Sequence, residues 1–307
     1  MDVKLVLDLG EEASALLWVL HRLLSTLTTK GEHMGKKAED TDFMGRFREI
    51  VSDPLNLAIR RDPRAGFVDG SYVYLHNGLK VPVSGSYAYY GKFSWILSIN
   101  RGVHEPLEEF VFQEVLNSLP ASPIMLELGA YWGHYSMWLK KVYPDAKVHL
   151  VEPELENLNA GKHNFTLNGF VGEFVNAFVG NGQFEVDKYL AEREIQKIDI
   201  LHSDIQGYEL EMLKGCSKSL TNKNINYLFI STHSQQLHFD VIEQLANFNY
   251  RIEVSSDFDY GTTSCDGFIF SSSPSVEPVF KGFIPMSRVQ IESAKPEFLI
   301  EYLNKII

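Results

Sequence analysis

The sequence predicts an α/β fold in which a doubly wound, mostly parallel sheet carries helices on both faces. The main observation is that, from Pro123 onward, short apolar runs alternate with stretches of helical pattern. Strands that alternate with helices form parallel sheets, because each crossover returns the chain to the same end of the sheet. The five runs that predict these strands are Ile124–Leu128, Lys147–Val151, Glu173–Val179, Ile198–Ile205 and Ile225–Thr232.

The segments between these strands carry the helical pattern, and the last two strands follow a different rule. Helices are predicted over 135–142, 155–163, 210–220 and 239–248. Only a loop separates the final two apolar runs, so they are predicted to add a hairpin at one edge of the sheet. These two strands are Tyr250–Val254 and Gly267–Ser271.

The chain before the sheet is predicted to form an extension that acts as a lid or an oligomerisation region. It begins with an apolar helix, Ala13–Leu27, and a polar linker, Thr28–Thr41. Short β-like runs follow over 72–75 and 79–83. Pro106 then opens a helix, since proline suits the first helical turn. The predicted domains are the N-terminal extension at 1–120, the sheet domain at 121–275 and a C-terminal extension at 276–307.

The composition of the chain limits which partners it is expected to bind and in which compartment it is expected to lie. The chain has 40 Asp and Glu against 28 Lys and Arg, a formal net charge of −12, and such a field repels phosphate backbones. Two cysteines, Cys216 and Cys265, are too few for a disulfide framework or a cysteine-rich zinc site. The stretch Ala13–Leu27 is too short for a membrane span and lacks the basic start of a signal peptide. We therefore expect a cytoplasmic protein with no membrane span and no nucleic-acid partner.

The first strand of the sheet ends in a glycine turn that leads into a helix. Glu127 to Ser136 reads E-L-G-A-Y-W-G-H-Y-S, with glycines at 129 and 133. Ligands of such sheets bind beyond the carboxyl ends of the strands, where glycines allow tight turns and close approach. The spacing differs from the G-x-G-x-x-G of dinucleotide-binding folds. Taken alone, the loop predicts either a nucleotide-like ligand or an ordinary strand-to-helix turn.

The second strand places a carboxylate at its tip. It ends in Val151-Glu152-Pro153, about 25 residues after the glycine turn. A carboxylate at this position accepts both hydroxyls of a ribose in dinucleotide sites, and no arginine stands beside Glu152 to indicate a 2′-phosphate. Asn157 in the next helix and Ala177 at the end of the third strand are predicted to border the adenine.

The fourth strand supplies the most specific motif, D-I-Q-G-Y-E from Asp204 to Glu209. Together with the glycine loop and V-E-P-x-x-x-N from Val151 to Asn157, it resembles the FkbM family of methyltransferases over residues 104–271. The resemblance implies a seven-stranded, Rossmann-like class I methyltransferase sheet and S-adenosylmethionine as the methyl donor. It also implies transfer to a hydroxyl of a saccharide or related small molecule.

The resemblance also implies which residues bind the cofactor. The glycine loop and its flanking residues would line the methionine part, and Glu152 would hold the ribose. The complete set of cofactor-binding residues expected on this basis is Glu127, Gly129, Tyr131, Gly133, Ser136, Glu152, Asn157, Ala177 and Asp204.

Two positions depart from the usual pattern of the family. Members commonly have Lys two residues before the Asp of the fourth motif, where this chain has His202. They often have Glu two residues before the histidine of the fifth strand, where this chain has Ser231 before His233. Both changes fall near the expected acceptor side, so the resemblance defines the substrate and the base less closely than the cofactor.

An alcohol acceptor must lose its proton, either to a positioned base or through a divalent ion that acidifies the hydroxyl. His233 follows the fifth strand, and Asp204 follows the neighbouring fourth strand. We predict that His233 is the general base and that Asp204 orients it or the substrate; the alternative is a structural histidine at the sheet edge. A divalent metal is not expected, although the following residues form a set that suits a first-row ion: Asp204, His233, His238 and Asp266.

Two features before the sheet have both functional and structural interpretations. The start of the predicted helix could fold over the cofactor, or its acids could simply match the helix dipole. Its residues are His104, Glu105, Pro106, Glu108 and Glu109. An aromatic patch could stack on a ring-shaped acceptor, although buried packing is the more common role of such residues. This patch contains Tyr87, Tyr89, Tyr90, Phe93 and Trp95.

Three alternative functions stay open at this point. A nicotinamide-dependent oxidoreductase would use the same kind of sheet, but the glycine spacing argues against it. A methyltransferase-like module could bind the cofactor or a glycan without turnover, which the departures at His202 and Ser231 allow. A partner-binding scaffold could act through the N-terminal helix, and the sequence leaves homo-oligomerisation open.

Overall fold

The computed structural model describes residues 43–89, 94–180, 182–258 and 266–306. The described part begins with helix α1 (Phe43–Ser52) and a 3₁₀ turn over Pro54–Leu57. Asp53 caps this turn by accepting the backbone N–H of Leu55 at 2.8 Å. A small antiparallel sheet follows, made of β1 (Val68–Asp69), β2 (Tyr72–Tyr74) and β3 (Lys80–Pro82).

Two helices lead from the small sheet to the large one. They are α2 (Trp95–Ile99) and α3 (Pro106–Val115). Pro106 is the first residue of α3, as the sequence predicted, and every residue of the helix except Glu114 is buried. Helix α3 is therefore a core element, which is unusual for a helix whose first turn carries two acids.

The large sheet has seven strands and confirms the predicted architecture. In chain order the strands are β4 (Ile124–Leu128), β5 (Lys147–Val151), β6 (Glu173–Val175), β7 (Ile198–Ser203), β8 (Ile225–Thr232), β9 (Arg251–Ser256) and β10 (Gly267–Ser272). Their spatial order is β6-β5-β4-β7-β8-β10-β9. All pairs are parallel except those of β10, which runs antiparallel to both β8 and β9. The expected hairpin thus forms one edge, with β9 outermost.

The helices that cover this sheet connect its strands in turn. They are α4 (His134–Val142), α5 (Leu155–Leu167), α6 (Val186–Glu192), α7 (Glu209–Gly215), α8 (Ser217–Thr221) and α9 (Gln235–Asn247). Two further helices follow the last strand, α10 (Arg288–Ser293) and α11 (Pro296–Ile306). The sequence did not predict α1, α2, α6, α10 or α11, and the proposed domain boundaries at 120 and 275 stay predictions.

Three predicted elements are shorter or divided. The third strand stops at Val175 rather than Val179, because its partner β5 ends at the same level. The fourth strand stops at Ser203, since the chain turns at Gln206 with a left-handed φ of 53°. The predicted helix over 210–220 is two helices, because Cys216 has φ −118° and ψ 17° and interrupts the helical backbone.

Two hydrophobic clusters lie on opposite faces of the large sheet, as the alternation of side chains along a strand requires. Met125, Ile200 and Phe229 point to one face and pack with residues of α3, α4 and the small sheet. Leu126 and Leu201 point to the other face and pack with residues of α6 to α9. All eight residues of β8 are buried, as expected for a central strand covered on both faces.

Several sequence-based predictions fall outside the described residues. These are the N-terminal helix at 13–27, the linker at 28–41, and Tyr90, Phe93 and Cys265. Within the described residues, no helix combines the length and the apolar character needed to cross a membrane. Cys216 is a buried free thiol, as expected for a small core side chain.

Candidate active site

The site lies where the strand order of the large sheet reverses. Strand β4 has β5 on one side and β7 on the other, so the chain leaves it in one direction and later returns on the opposite side. The register pairs Leu128 with both Val151 and Ser203, so the three strands end at the same level. Open α/β sheets bind their ligands in the crevice beyond such strand ends.

The loop after β4 is held close to the end of β7. Gly129 has φ 72°, and a Cβ on it would lie 1.8 Å from the backbone oxygen of Asp204. Gly133 has φ 77° and caps the N-terminus of α4, where a Cβ would approach the ring of Phe165 at 3.1 Å. Tyr131 between them is also left-handed, with φ 42°. The two glycines are therefore needed for the turn and for its packing.

Glu127 fixes the start of α4. Its side chain is 2% exposed, and its Oε2 accepts the backbone N–H of Ser136 at 3.1 Å. Burial raises the pKa of Glu127. The carboxylate thus ties the last turn of the strand to the first turn of the helix, on the side where the methionine part of the cofactor is expected.

Glu152 occupies the tip of β5 and contacts the loop that follows β4. Its Oε2 accepts the backbone N–H of Tyr131 at 3.0 Å, and its Oε1 accepts that of Glu154 at 3.0 Å. The side-chain amide of Asn157 lies 3.4 Å from the same Oε1. A carboxylate offers about four lone-pair positions, so acceptor capacity is left for a ribose hydroxyl. The carboxylate at this strand end can therefore accept a hydrogen bond from a ribose hydroxyl.

The region beyond β6 is apolar, as an adenine ring requires. Ala177 lies two residues past the end of β6 and is partly buried against the second hydrophobic cluster. The rings of Phe178 and Tyr208 meet edge to face with centroids 4.7 Å apart. The predicted cofactor residues thus lie at the ends of β4, β5, β6 and β7 or in the segments that follow them, and the side chains of Glu127 and Ser136 are buried. Their contact with a cofactor stays a prediction.

The predicted acceptor residues converge at the ends of β7, β8 and the start of β10. His233 Nε2 lies 3.2 Å from Asp204 Oδ1 and 3.6 Å from Asp266 Oδ1. His233 Nδ1 lies 2.8 Å from Glu209 Oε1, and Glu209 is fully buried. The Gln206 side-chain amide hydrogen-bonds both His233 and Asp204. Sequence reasoning quoted Glu209 within its motif but assigned it no role; here it orients the imidazole.

The charges of this group set its protonation. Burial lowers the pKa of His233, but hydrogen bonds to Asp204 and Glu209 outweigh that effect and raise it to about 10. Burial also raises the pKa of Asp204, yet the hydrogen bond from His233 lowers it below the ordinary value. Burial and the nearby charge of Asp204 raise the pKa of Asp266 to about 6. Near neutral pH the imidazole is therefore protonated, and Asp266 is the carboxylate nearest its titration point.

Helix α3 supplies a further carboxylate, which the sequence suggested only as part of a helix start that could fold over the cofactor. Glu108 Oε1 lies 2.5 Å from His202 Nε2, and Glu108 Oε2 accepts the hydroxyl of Ser231 at 3.1 Å. All three side chains are buried. These are the two positions that depart from the family pattern, so both departures meet at one residue. The presence of both departures in one chain was the sequence signal that a carboxylate from another segment contacts these two positions.

A pocket opens between the start of α3 and the start of β10. Burial raises the pKa of Glu105 in its wall to about 7. Arg46 and the Tyr135 hydroxyl each lie 3.2 Å from the Glu105 carboxylate. The helix start therefore folds over the acceptor side, and matching of the helix dipole does not explain its buried acids. The pocket is lined by Glu105, Pro106, Leu107, Glu108, Ser231, Asp266, Gly267 and Phe268.

The inclusion of His238 in a metal-binding set was wrong. Its Nδ1 lies 2.8 Å from the hydroxyl of Thr232 and its Nε2 lies 2.9 Å from that of Ser255, so both ring nitrogens are occupied. His238 is fully buried, and burial lowers its pKa to about 4. It is a structural histidine that connects α9 with β8 and β9.

The described part of the aromatic patch packs against the protein. Tyr89 is 8% exposed and stacks on Trp132 with centroids 4.6 Å apart. The ring of Tyr87 lies 5.2 Å from that of His163. Trp95 remains 49% exposed. Tyr89 thus packs against Trp132 of the glycine loop. Buried packing, and not an exposed surface for a ring-shaped acceptor, is the role that the structure supports for this residue.

Comparison with known families adds to this geometry. Residues 182–252 match the family model described as Methyltransferase FkbM domain. This part of the chain is therefore similar to the FkbM methyltransferase family. The matched residues include the D-I-Q-G-Y-E motif, Glu209 and His233, and the match confirms the family expected from the motifs. No curated protein matches the chain in sequence.

Solved structures that resemble this chain are methyltransferases of low sequence identity. The FkbM methyltransferase from Methylobacillus flagellatus KT is 19% identical, with a TM-score of 0.40, over 50% of this chain and 44% of that one. M. capricolum TrmK in complex with S-adenosyl-homocysteine is 15% identical, with a TM-score of 0.39, over 64% and 82%. A SAM-dependent methyltransferase from Agrobacterium tumefaciens is 14% identical, with a TM-score of 0.42, over 68% and 72%.

Proposed function

We propose that this chain is an S-adenosylmethionine-dependent O-methyltransferase that acts on a hydroxyl of a saccharide or related small molecule. The observation that carries the proposal is the crevice at the switch point, with Glu152 on one side and the Asp204, His233 and Asp266 group on the other. The first side fits an adenosine, and the second side supplies proton acceptors beside a pocket.

The cofactor, when bound, supplies an electrophilic methyl group on a sulfonium. Glu152 would hold the ribose hydroxyls, and the loop with Gly129 and Gly133 would allow close approach of the methionine part. In-line positioning of the acceptor oxygen then contributes much of the rate. As the oxygen–methyl bond forms and the sulfur–methyl bond breaks, the hydroxyl proton must pass to a base. The products are a methyl ether and S-adenosylhomocysteine.

Two carboxylates of the pocket have raised pKa values that suit a base near neutral pH, Glu105 at about 7 and Asp266 at about 6. Glu105 is held by Arg46 and the Tyr135 hydroxyl, whereas Asp266 lies beside His233. We assign Asp266 the hydroxyl proton, and we assign His233, held by Glu209, the role of positioning Asp204 and Asp266. The sequence-based assignment of the base to His233 stays testable by a pH–rate profile. If Asp266 is the base, kcat/KM rises with pH up to about 6 and then levels off. If His233 is the base, the rise continues to about pH 10.

The cofactor half is tested by calorimetric binding of S-adenosylmethionine and S-adenosylhomocysteine. We expect micromolar binding to the wild type and a loss of about 10- to 150-fold in Glu152→Ala, because hydrogen bonds to a charged group are removed. The matched control is Glu156→Ala, a fully solvent-facing glutamate in the following helix, which should bind like the wild type. No binding of either ligand to the wild type contradicts the proposal.

The acceptor half is tested by following S-adenosylhomocysteine formation with a panel of sugars and glycosides. Formation of a methyl ether with one of them supports the proposal. Cofactor binding without turnover on any hydroxyl favours a non-catalytic binding module. Turnover on amines or carbon acceptors alone would refute O-methyl transfer while leaving the cofactor assignment intact.

A further inference from the structure

A second group of titratable side chains lies next to the glycine loop and contains none of the residues assigned to methyl transfer. His76 lies between β2 and β3, Glu109 lies in the first turn of α3, and His134 is the first residue of α4. Their exposed fractions are 0%, 0% and 2%. His104, which is 3% exposed, precedes α3 and completes the group. The proposed methyl transfer uses none of these residues.

Both imidazoles of the group approach the same carboxylate, that of Glu109. His134 Nε2 lies 3.2 Å and His76 Nε2 lies 3.7 Å from the same oxygen, Glu109 Oε1. One ligand atom from each of these three residues lies within 4.8 Å of the others, and among the described residues this is the single set of three His, Cys, Asp or Glu side chains that meets that condition. Tetrahedral zinc with bonds of about 2.0–2.1 Å separates its ligand atoms by roughly 3.3 Å.

The polar atoms of the group lack the partners that burial normally demands. Neither ring nitrogen of His76 or His134 has a well-formed hydrogen bond, and Glu109 Oε2 has none. A buried polar atom without a partner costs about 1–3 kcal/mol, so several together are uncommon in a native core. A bound cation would occupy lone pairs of these atoms.

The surroundings suit a closed site. The His76 ring lies 4.4 Å from that of Trp138, and the His134 ring stacks on that of Trp132 at 5.1 Å. Aromatic rings therefore flank both imidazoles, as expected for a site enclosed in the core.

His104 holds the carboxylate in place. Its Nδ1 lies 2.6 Å from Glu109 Oε1, and its Nε2 lies 3.4 Å from Glu105 Oε2. The backbone N–H of His104 also donates to Glu109 Oε1 at 3.4 Å. Residues that contact a ligating carboxylate in this way commonly orient it for the metal.

We propose that His76, Glu109 and His134 bind one first-row divalent cation, with His104 as a positioning residue for Glu109. Two imidazoles and a carboxylate suit Zn²⁺, and the buried aromatic surroundings favour a structural role. The ion joins the loop after β2, helix α3 and the first turn of α4. It would thereby fix α3, which carries Glu108 into the acceptor pocket, against the helix that follows the cofactor loop.

The test uses the full chain without cofactor or acceptor. Chelator-treated, desalted protein is titrated with Zn²⁺ against a chromophoric competitor, and with Co²⁺ while its visible absorption is recorded. We expect one ion per chain with a Kd of roughly 1 µM or tighter. His76→Ala and His134→Ala should each weaken binding by at least about 100-fold, and His104→Ala by about 10- to 100-fold.

His163→Ala is the matched control, because this half-buried histidine of α5 lies outside the group and should leave binding unchanged. His233→Ala separates this site from the acceptor group and should also keep the ion. Absence of stoichiometric Zn²⁺ and Co²⁺ binding to the wild type overturns the proposal, even if a histidine variant fails to fold. Binding that survives both His76→Ala and His134→Ala overturns it as well. Neither result bears on cofactor binding, which is measured separately.

Discussion

The cofactor side and the acceptor side of the crevice are built from different kinds of contact. On the cofactor side, Glu127 and Glu152 accept hydrogen bonds from the backbone N–H groups of Ser136 and Tyr131. These partners are 9 and 21 residues apart in sequence. Backbone donors have no charge to gain or lose, so these contacts fix positions without linking the protonation of one residue to that of another.

On the acceptor side, charged side chains contact one another across long sequence separations. Glu108 meets His202 and Ser231, which are 94 and 123 residues away. His233 lies beside Asp204, and each strongly changes the pKa of the other. The two sides therefore differ in what fixes their residues. Hydrogen bonds to the local backbone fix the positions on the cofactor side, whereas interactions between charged side chains fix positions and protonation on the acceptor side. Substitutions that keep shape and remove charge should therefore act mainly on the acceptor side.

The largest expected effect of such a substitution is on turnover in Asp266→Asn. The amide keeps the size of the side chain but cannot take the hydroxyl proton. We expect kcat to fall by about 10²- to 10⁴-fold, the usual contribution of a general base, with S-adenosylhomocysteine affinity unchanged. The measurements are initial rates of S-adenosylhomocysteine formation with an acceptor found in the screen, and calorimetry.

Asp145→Asn is the control for this change, because Asp145 is exposed in the turn before β5 and should keep full activity. If the affinity for S-adenosylhomocysteine decreases as much as kcat, the cofactor side and the acceptor side do not act independently. An active Asp266→Asn enzyme whose kcat/KM still rises toward pH 10 would return the role of base to His233.

The next effect concerns the free energy of unfolding. Glu108→Ala leaves His202 buried and protonated without its partner, which should cost about 3–5 kcal/mol. Glu108→Gln keeps an oxygen for one of the two contacts and places its amide NH₂ at the other, so it should cost less than the alanine variant. Urea unfolding at pH 7 measures both values.

Glu114→Ala on the same helix is the matched control for Glu108→Ala. Its ion pair with Arg60 is partly exposed, with side-chain exposures of 34% and 64%, so it should contribute no more than about 1 kcal/mol. If Glu108→Ala and Glu114→Ala destabilise equally, the buried pair does not hold α3 in place. The acceptor side would then depend on packing alone.

The places of the cofactor-side residues in the fold could be predicted because their determinants are local. A strand followed by Gly129 and Gly133, and a second strand ending in Glu152, define positions within about one βαβ unit. In the structure the two glycines follow β4 and Glu152 follows β5, while their contact with a cofactor stays a prediction. The same reasoning extended the third strand to Val179, because apolar residues continue past Val175 although no neighbouring strand remains to pair with them.

The acceptor side could not be predicted in the same way. Glu108 lies in a helix start whose acids match the helix dipole equally well, and only the folded chain shows that this turn is buried. The raised pKa of His233 depends on the combined positions of Asp204, Glu209 and Asp266. His238 stands near His233 in sequence, yet it points into the core. Long-range contacts decide all three cases.

The smallest effect is a pH dependence of stability that separates the two sides without an acceptor. Burial lowers the pKa of His202, but the charge and hydrogen bond of Glu108 outweigh that effect and raise it to about 9. An unfolded histidine titrates near about 6.5. The stabilising contribution of His202 is therefore complete below about pH 6.5 and is lost as the pH rises through about 9.

The measurement compares urea unfolding of the wild type and His202→Gln from pH 6 to 9, with chelator present in both. Groups that do not interact with His202 titrate equally in the two proteins, so their contributions cancel in the difference. The wild type should have its greatest advantage at pH 6, and that advantage should shrink toward pH 9. A constant difference would show that the Glu108–His202 contact is not an ion pair. The charge coupling that distinguishes the acceptor side would then rest on His233 and its carboxylates alone.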